Sequence, residues 1–152
     1  MLVKTARFGD LEVNHEDIWS FNNPILGFET NRRYINIPQD NSPFEFFQSV
    51  EDEHLTFIVT DPFNFCQEYA FTLEQHWLDS LHLDKEELVA IRSIVTVRSS
   101  SDISINLKAP IVMNARTKEA AQIILDKLEY STRFSIIGNT GEEAKCANPI
   151  EK

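Results

Sequence analysis

Glycine is scarce in this chain of 152 residues, which has only four, at Gly9, Gly27, Gly138 and Gly141. Loops that bind nucleotide phosphates need clustered glycines. Only the last two lie close together, and they belong to a polar stretch near the end of the sequence. The sequence therefore argues against nucleotide-dependent chemistry.

Cysteines and long apolar runs are also rare. Cys66 and Cys146 lie 80 positions apart and form neither a CxxC pair nor a disulfide framework, so both are predicted to be free thiols in a reducing compartment. No apolar run approaches the roughly 20 residues that span a bilayer, and no N-terminal stretch has the features of a secretory signal. We expect a cytoplasmic protein.

Basic residues are outnumbered, because 14 Lys and Arg stand against 24 Asp and Glu, which gives a net charge of −10. Between Phe44 and Leu88 there are eleven acidic residues and one basic residue, Lys85, whereas the rest of the chain has 13 of each. Nucleic-acid binding needs a basic face and is not expected. The acidic central third predicts either a surface that attracts basic partners or carboxylates that keep the protein soluble.

The chain is a series of short β-type segments separated by turn residues. Strands are predicted at residues 2–8, 11–13, 18–21, 34–37, 44–46, 55–60, 88–97, 103–107 and 109–114, and the first two form a hairpin around Gly9-Asp10. The run from Leu88 to Val97 is predicted to be the longest and most buried strand, because it is rich in β-branched residues.

Helical patterns are limited to short segments. Trp77, Leu78 and Leu81 share one face of a short helix predicted between residues 74 and 83, and Asp84 is suited to cap a further helical turn. Residues 118–130 have high helix propensity, although Ile123-Ile124-Leu125 also suits a strand. The sequence predicts a mostly β fold, a compact antiparallel, barrel-like single domain with one or two short helices over residues 1–137. A disordered polar tail is expected at residues 138–152.

The histidine and cysteine side chains, which often bind metals or act in catalysis, do not have the sequence spacing of a metal or catalytic site. The four histidines are His15, His54, His76 and His82, and none forms a pair with metal-ligand spacing. Cys66 has aromatic neighbours on both sides and is predicted to pack in the core. The sequence therefore predicts no catalytic residue, no metal site and no cofactor.

Several short sequence motifs follow one another along the chain. They are Ile25-Leu26-Gly27-Phe28-Glu29, Pro43-Phe44 with Gln48-Ser49, Phe57-Ile58-Val59-Thr60-Asp61-Pro62, Ile94-Val95-Thr96-Val97, Asn106-Leu107-Lys108-Ala109-Pro110-Ile111-Val112-Met113-Asn114, Gln122-Ile123-Ile124-Leu125, and Tyr130 with Arg133. In order and approximate spacing they resemble the FliW family of flagellar assembly factors, which are small bacterial cytoplasmic proteins. The similarity extends from about Thr5 to Arg133.

The resemblance implies a β-rich, barrel-like fold, with a strand from Ala121 to Leu125 where local propensity favours a helix. It also implies a binder that is not an enzyme. Proteins of this family bind cytoplasmic flagellin and, alternatively, the RNA-binding carbon storage regulator CsrA, whose repression of flagellin translation they relieve. Accumulated flagellin occupies such a protein and frees the regulator, a competition that needs no cofactor.

The candidate partner-binding residues are hypotheses from charge and strand position. Acidic residues of the central third are expected to recruit the regulator, because an RNA-binding protein carries basic surface. Pro110 marks a candidate edge strand that a partner's strand could extend. The complete set is Glu51, Asp52, Glu53, Asp61, Glu68 and Pro110.

A second interpretation stays open at this point. The chain has 16 aromatic residues, and some of them could line the pocket of a small-molecule-binding or carbohydrate-binding β-domain, with or without catalytic activity. The candidates are Trp19, Phe44, Phe46, Phe47 and Trp77. A deep aromatic pocket favours this interpretation, whereas a filled barrel with an acidic surface favours the binder.

Overall fold

The computed structural model describes residues 1–84 and 89–137, and strands make up most of its regular structure. The strands are β1 Leu2–Thr5, β2 Gly9–Glu12, β3 Ile18–Asn23, β4 Arg33–Pro38, β5 Phe44–Ser49, β6 Thr56–Thr60, β7 Val89–Ser99, β8 Asp102–Ile105, β9 Ile111–Asn114, β10 Glu119–Gln122 and β11 Phe134–Ser135. Helix α1 spans Gln75–Ser80, and 3-10 turns lie at His15–Asp17 and Pro62–Asn64. The mostly β prediction is confirmed. The predicted tail and the further helical turn after Asp84 lie outside the described residues.

Seven strands close into a barrel. The order β7-β6-β5-β4-β3-β10-β9 returns to β7, because β9 also pairs with that strand. Strand β7 is 11 residues long and pairs with β9 through Val89–Arg92 and with β8 through Val95–Ser99. The pairing of β10 with β3 is parallel, whereas the other pairings between described strands are antiparallel.

The barrel interior is filled by side chains. Successive residues of a strand point to opposite faces, so Trp19 of β3 and its partner Tyr34 of β4 point inward while Ile18 and Ile35 point outward. The buried members of the interior cluster are Trp19, Phe21, Ile25, Tyr34, Phe47, Val59, Ile111, Met113 and Ala120. Burial of each large apolar side chain stabilises the fold by about 1.5–3 kcal/mol.

Two segments of the chain pack against the outer surface of the barrel. The β1–β2 hairpin covers β3 and β4, where Val3 packs with Ile18 and Ile35. The connection between β6 and β7 covers another side, where Tyr69 and Leu81 belong to the same buried cluster as strand residues. The described part of this connection, residues 61–84, therefore lies on the barrel surface, and polar side chains such as Glu68 and Asp79 are exposed to solvent.

The structure differs from the sequence predictions in the burial of β7 and from the local helix propensity in the segment after residue 118. Strand β7 is the longest, as predicted, but it is not the most buried, because all four residues of β9 are buried and most of β7 is partly exposed. The segment that follows Lys118 forms strand β10 and not a helix, as the family resemblance implies. Beyond β10, the N–H groups of Ile123 and Leu125 donate to the carbonyl oxygens of Pro110 and Lys108, so the ladder continues.

Cys66 departs from its prediction in one respect. Its side chain is buried, as predicted for a core position. It is disulfide-bonded, so the prediction of a free thiol at this position is wrong.

Candidate protein-binding surface

Residues 51–53, the acidic turn, connect β5 to β6 and are held by two buried polar residues. The Gln48 Nε2 atom donates to the carbonyl oxygens of Asp52 and Glu53, both at 3.3 Å, while its Oε1 accepts from the Thr56 hydroxyl at 2.6 Å. Ser49 Oγ accepts the N–H of Asp52 at 3.0 Å. Gln48 and Ser49 are both fully buried, so hydrogen bonds to buried side chains hold the backbone of this turn in place.

The three carboxylates of the acidic turn have different surroundings. Glu51 forms an ion pair with Arg33 (Nε to Oε2, 2.7 Å) and also accepts the N–H groups of Arg32 and Arg33. Asp52 accepts the N–H of His54 at 2.9 Å. Glu53 Oε2 lies 3.8 Å from His54 Nε2, and the Glu53 side chain is half exposed. Glu53 is therefore more open to a partner than Glu51.

These surroundings predict that Glu51 and Glu53 differ in their contribution to stability. Glu51→Ala should lower the free energy of unfolding by about 1–2 kcal/mol, because it leaves two backbone N–H groups and Arg33 without their acceptor. Glu53→Ala should change it by less than about 0.5 kcal/mol. Urea unfolding of both variants measures the difference, and equal losses would contradict the assigned roles.

The remaining predicted site residues lie elsewhere. Asp61 caps the Pro62–Asn64 turn by accepting the N–H of Phe63 at 2.9 Å, and Glu68 is exposed further along. The five residues of β6 separate Asp61 from the acidic turn, which places them about 17 Å apart. Pro110 is buried and precedes β9, which is paired on both sides. The edge-strand interpretation of Pro110 is wrong, and the structure does not bring the six residues together.

An open apolar groove of about 590 Å³ lies beside the β6–β7 connection. Residues 70–74 and Trp77 form one wall, and residues 123–128 form the other. Ile123 and Leu125 point into the core, whereas Ile124 between them is 48% exposed and Leu128 is 36% exposed. The sequence analysis did not find this groove. The unbroken apolar run Ile123-Ile124-Leu125 was a signal for it, because successive side chains of an extended segment point to opposite faces and the middle one faces away from its neighbours.

The groove is held in shape by tyrosine hydroxyl groups. Tyr130 donates to the carbonyl oxygen of Ala70 at 2.9 Å and accepts the N–H of Ala70 at 3.0 Å. Tyr69 donates to the carbonyl oxygen of Leu107 at 2.6 Å. Burial raises the pKa of Tyr69, and the nearby Tyr130 raises it further, so the Tyr69 hydroxyl stays protonated and remains a donor.

Two acidic residues line this groove, Glu74 and Asp126, and Glu74 belongs to a long acidic stretch of the chain. The stretch from Asp61 to Asp84, the acidic segment, contains no lysine or arginine. Its acidic residues are Asp61, Glu68, Glu74, Asp79 and Asp84. Asp126 of the opposite wall adds a further carboxylate, and Lys127 lies 3.9 Å from Glu74 in an exposed pair, whose attraction is weak in water. The groove therefore combines apolar walls with charges of both signs, since Lys108 Nζ also donates to the carbonyl oxygens of Leu125 and Leu128 in one wall.

The aromatic residues of the alternative interpretation do not share one pocket. Trp19 and Phe47 pack inside the barrel. Phe44 stacks on Phe65 and Phe46 contacts Phe8, both outside the barrel interior. Of the five, only Trp77 lines the groove. Phe44 and Phe46 line a separate shallow pocket of about 360 Å³, so the five aromatic residues are divided among the barrel interior and two different surface sites.

Within residues 1–84 and 89–137, no cluster of three or more His, Cys, Asp or Glu side chains is placed to hold a metal ion. No helix in these ranges has both the length and the apolar character needed to cross a membrane.

Fold and surface together define a small, closed β-barrel domain with a filled interior. The family model for the FliW protein matches residues 2–136, and the chain belongs to the FliW family. It is 41% identical to the flagellar assembly factor FliW of Ruminiclostridium cellulolyticum over 90% of this chain and 95% of the relative. It is 39% identical to the same factor of Desulfitobacterium hafniense strain Y51 over 99% and 98% of the two chains.

A solved structure supports the same assignment. The crystal structure of a flagellar assembly factor FliW superimposes with a TM-score of 0.85 and 30% sequence identity. The match covers 92% of this chain and 99% of that chain. The barrel described above is therefore the fold of the family, and the FliW resemblance seen in the sequence is confirmed.

Proposed function

We propose that this protein is a cytoplasmic flagellar assembly factor that works by binding proteins and not by catalysis. Its relatives are named as flagellar assembly factors. In this proposal the protein binds flagellin and, alternatively, a CsrA-type RNA-binding regulator. Flagellin that accumulates before export displaces the regulator, which then represses flagellin translation. The switch depends on competition between flagellin and the regulator for the same molecules of this protein.

The observation that carries the proposal is the placement of the acidic residues on the outside of a filled barrel. Asp61 to Asp84 carries five acidic residues and no Lys or Arg, and it wraps the outer face beside an apolar groove. A negative surface attracts a basic protein over a distance and orients its approach. A regulator that binds RNA phosphates presents such a basic surface.

The direct test measures binding and competition with purified proteins. Immobilised regulator and, separately, flagellin are titrated with this protein, and each is then added as a competitor of the other complex. We expect both complexes to form and flagellin to release the regulator. If neither flagellin nor the regulator binds, the proposed function is wrong.

The same components distinguish two ways of inhibiting the regulator. Carboxylates that mimic RNA phosphates would exclude RNA from the complex, whereas contact away from the RNA site inhibits through a coupling of a few kcal/mol. A labelled RNA that remains bound in a ternary complex would favour the second. Complete exclusion of RNA at saturating protein would favour the first.

Glu53 gives a specific prediction about association. Glu53→Lys should lower the association rate constant for the regulator by about two- to fivefold and weaken its salt dependence, while the dissociation rate changes little, because exposed peripheral charges act mainly on encounter. Stopped-flow measurements at two salt concentrations test this. Glu16→Lys, an equal charge change on the exposed turn before β3, is the matched control. Equal effects of the two variants would show that only net charge matters.

A further inference from the structure

The disulfide-bonded Cys66 is held in a fixed position in the connection between β6 and β7. Its N–H donates to the carbonyl oxygen of Pro62 at 2.9 Å, and its carbonyl oxygen accepts the N–H of Tyr69 at 3.2 Å. Its side chain is 2% exposed and belongs to the buried cluster that also contains Leu107 and Phe134. A segment bonded to Cys66 is therefore attached to a well-packed part of the fold.

The sequence restricts the partner of this bond. The bond is present in the structure of a single chain, and Cys146 is the other cysteine of the sequence. Cys146 lies outside the described residues, nine positions after Ile137, and nine residues span up to about 30 Å. Phe134, shortly before Ile137, packs in the same cluster as Cys66. The chain therefore has enough length for Cys146 to reach Cys66.

The compartment determines what such a bond can do. In the reducing cytoplasm proposed above, disulfides are rare, and those that form are usually transient and respond to redox conditions. A bond between Cys66 and Cys146 would close a loop of about 80 residues, and the stabilisation by a disulfide increases with loop length. The oxidised and reduced forms should therefore differ measurably in stability.

We propose that Cys66 and Cys146 form a redox-sensitive disulfide that covalently connects the C-terminal segment to the β6–β7 connection. A dithiol reductant opens it: one thiolate attacks a sulfur atom, the S–S bond breaks, and the second thiolate resolves the mixed disulfide. Two electrons pass to the protein, the two cysteines end as thiols with the two protons of the reductant, and the reductant becomes a disulfide. Oxidised glutathione reverses the reaction. The inference goes beyond the proposed function and does not depend on flagellin or regulator binding.

Tryptic mapping without reductant tests the bond itself. Trypsin cleaves after Arg33, Lys85 and Lys145, so the two cysteines fall in fragments 34–85 and 146–152. Protein treated with oxidised glutathione is blocked with N-ethylmaleimide and digested. We expect mass spectrometry to find the two fragments linked to each other and separated by dithiothreitol. Alkylation of both fragments, or linkage between two copies of the same fragment, would overturn the assignment of the bond.

Glutathione mixtures test whether the bond responds to redox conditions. The protein is equilibrated with reduced and oxidised glutathione in different ratios, and the linked fragments are quantified after blocking. The linked form should dominate when oxidised glutathione is in excess and should disappear with reduced glutathione alone. A bond that persists in reduced glutathione alone would be a permanent cross-link, and the switch proposal would be wrong.

Thermal unfolding tests the effect of the bond on the fold. The oxidised protein should unfold about 5–15 °C above the protein reduced with dithiothreitol. Cys146→Ser is the matched control, because it removes the bond and leaves the buried Cys66 side chain in place. This variant should unfold at the same temperature after either treatment. An unchanged protein without a shift, or a Cys146→Ser variant with the same shift, would contradict the proposal.

Discussion

Phe47→Ala is expected to lower the free energy of unfolding by about 3–5 kcal/mol, a large part of the stability of a domain of this size. Phe47 is fully buried inside the barrel, with its ring centroid 6.4 Å from those of both Phe21 and Tyr34. Truncation removes the ring from a space closed on all sides by other strands, so the structure cannot collapse to fill it. Urea unfolding followed by tryptophan fluorescence measures the loss.

The control for this prediction is another phenylalanine near the surface. Phe28 is 38% exposed, and its ring contacts Phe57 with centroids 5.0 Å apart. Phe28→Ala should cost about 1 kcal/mol, because water already reaches this side chain and fills the space left. A similar loss for Phe47→Ala and Phe28→Ala would mean that the barrel interior is not packed as described.

Asn114→Ala is expected to lower the free energy of unfolding by about 2–4 kcal/mol. Asn114 is fully buried, and its Nδ2 donates to the carbonyl oxygens of Leu81 and His82 at 2.7 and 3.1 Å. Its Oδ1 accepts the N–H groups of Arg116 and Thr117. The substitution leaves four backbone groups without these partners and releases the end of helix α1 from the barrel.

The effect of Asn114 should also reach the groove, because helix α1 carries Trp77. Hydrogen exchange of the amides of Leu78 and Leu81 should become faster in Asn114→Ala. Asn22→Ala is the control, since Asn22 is exposed and donates to the carbonyl oxygen of Ser80 at the same helix end and to the Glu119 carboxylate, and the substitution should cost less than about 1 kcal/mol. Identical stability and exchange in both variants would contradict the anchoring role of Asn114.

The strand predictions succeeded where alternation and turn residues agreed. The β1–β2 hairpin forms, but its turn lies at residues 6–8, and Gly9 and Asp10, predicted to form the turn, pair with Thr5 and Lys4 as part of β2. Gly9 has a φ of 75°, a conformation that glycine adopts without strain. The secondary structure of residues 118–130 was harder to predict. Helix propensities of different residue types differ by only fractions of a kcal/mol per residue, and packing of β10 between β3 and β9 outweighs them. The family resemblance supplied the strand that local propensity did not.

The candidate site was predicted only in part. The excess of acidic residues was located correctly in sequence, but the acidic turn and the acidic segment face different surroundings, and Glu51 is occupied by Arg33. The groove was missed because its two walls, residues 70–74 and 123–128, are about 50 positions apart in sequence. Periodicity shows which side chains share a face, but it does not show which other segment lies beside that face.

The sequence by itself determined the β class, most strand positions, the short helix and the central location of the negative charge, because these depend on neighbouring residues. Only the tertiary structure decided how the barrel closes, through the pairing of β7 with β9 and the parallel pairing of β3 with β10. It also decided that Pro110 is buried and that Ile124 is exposed. These features depend on contacts between strands whose paired residues are up to 99 positions apart. Their pairing is selected by the burial of the whole interior and not by any local pattern.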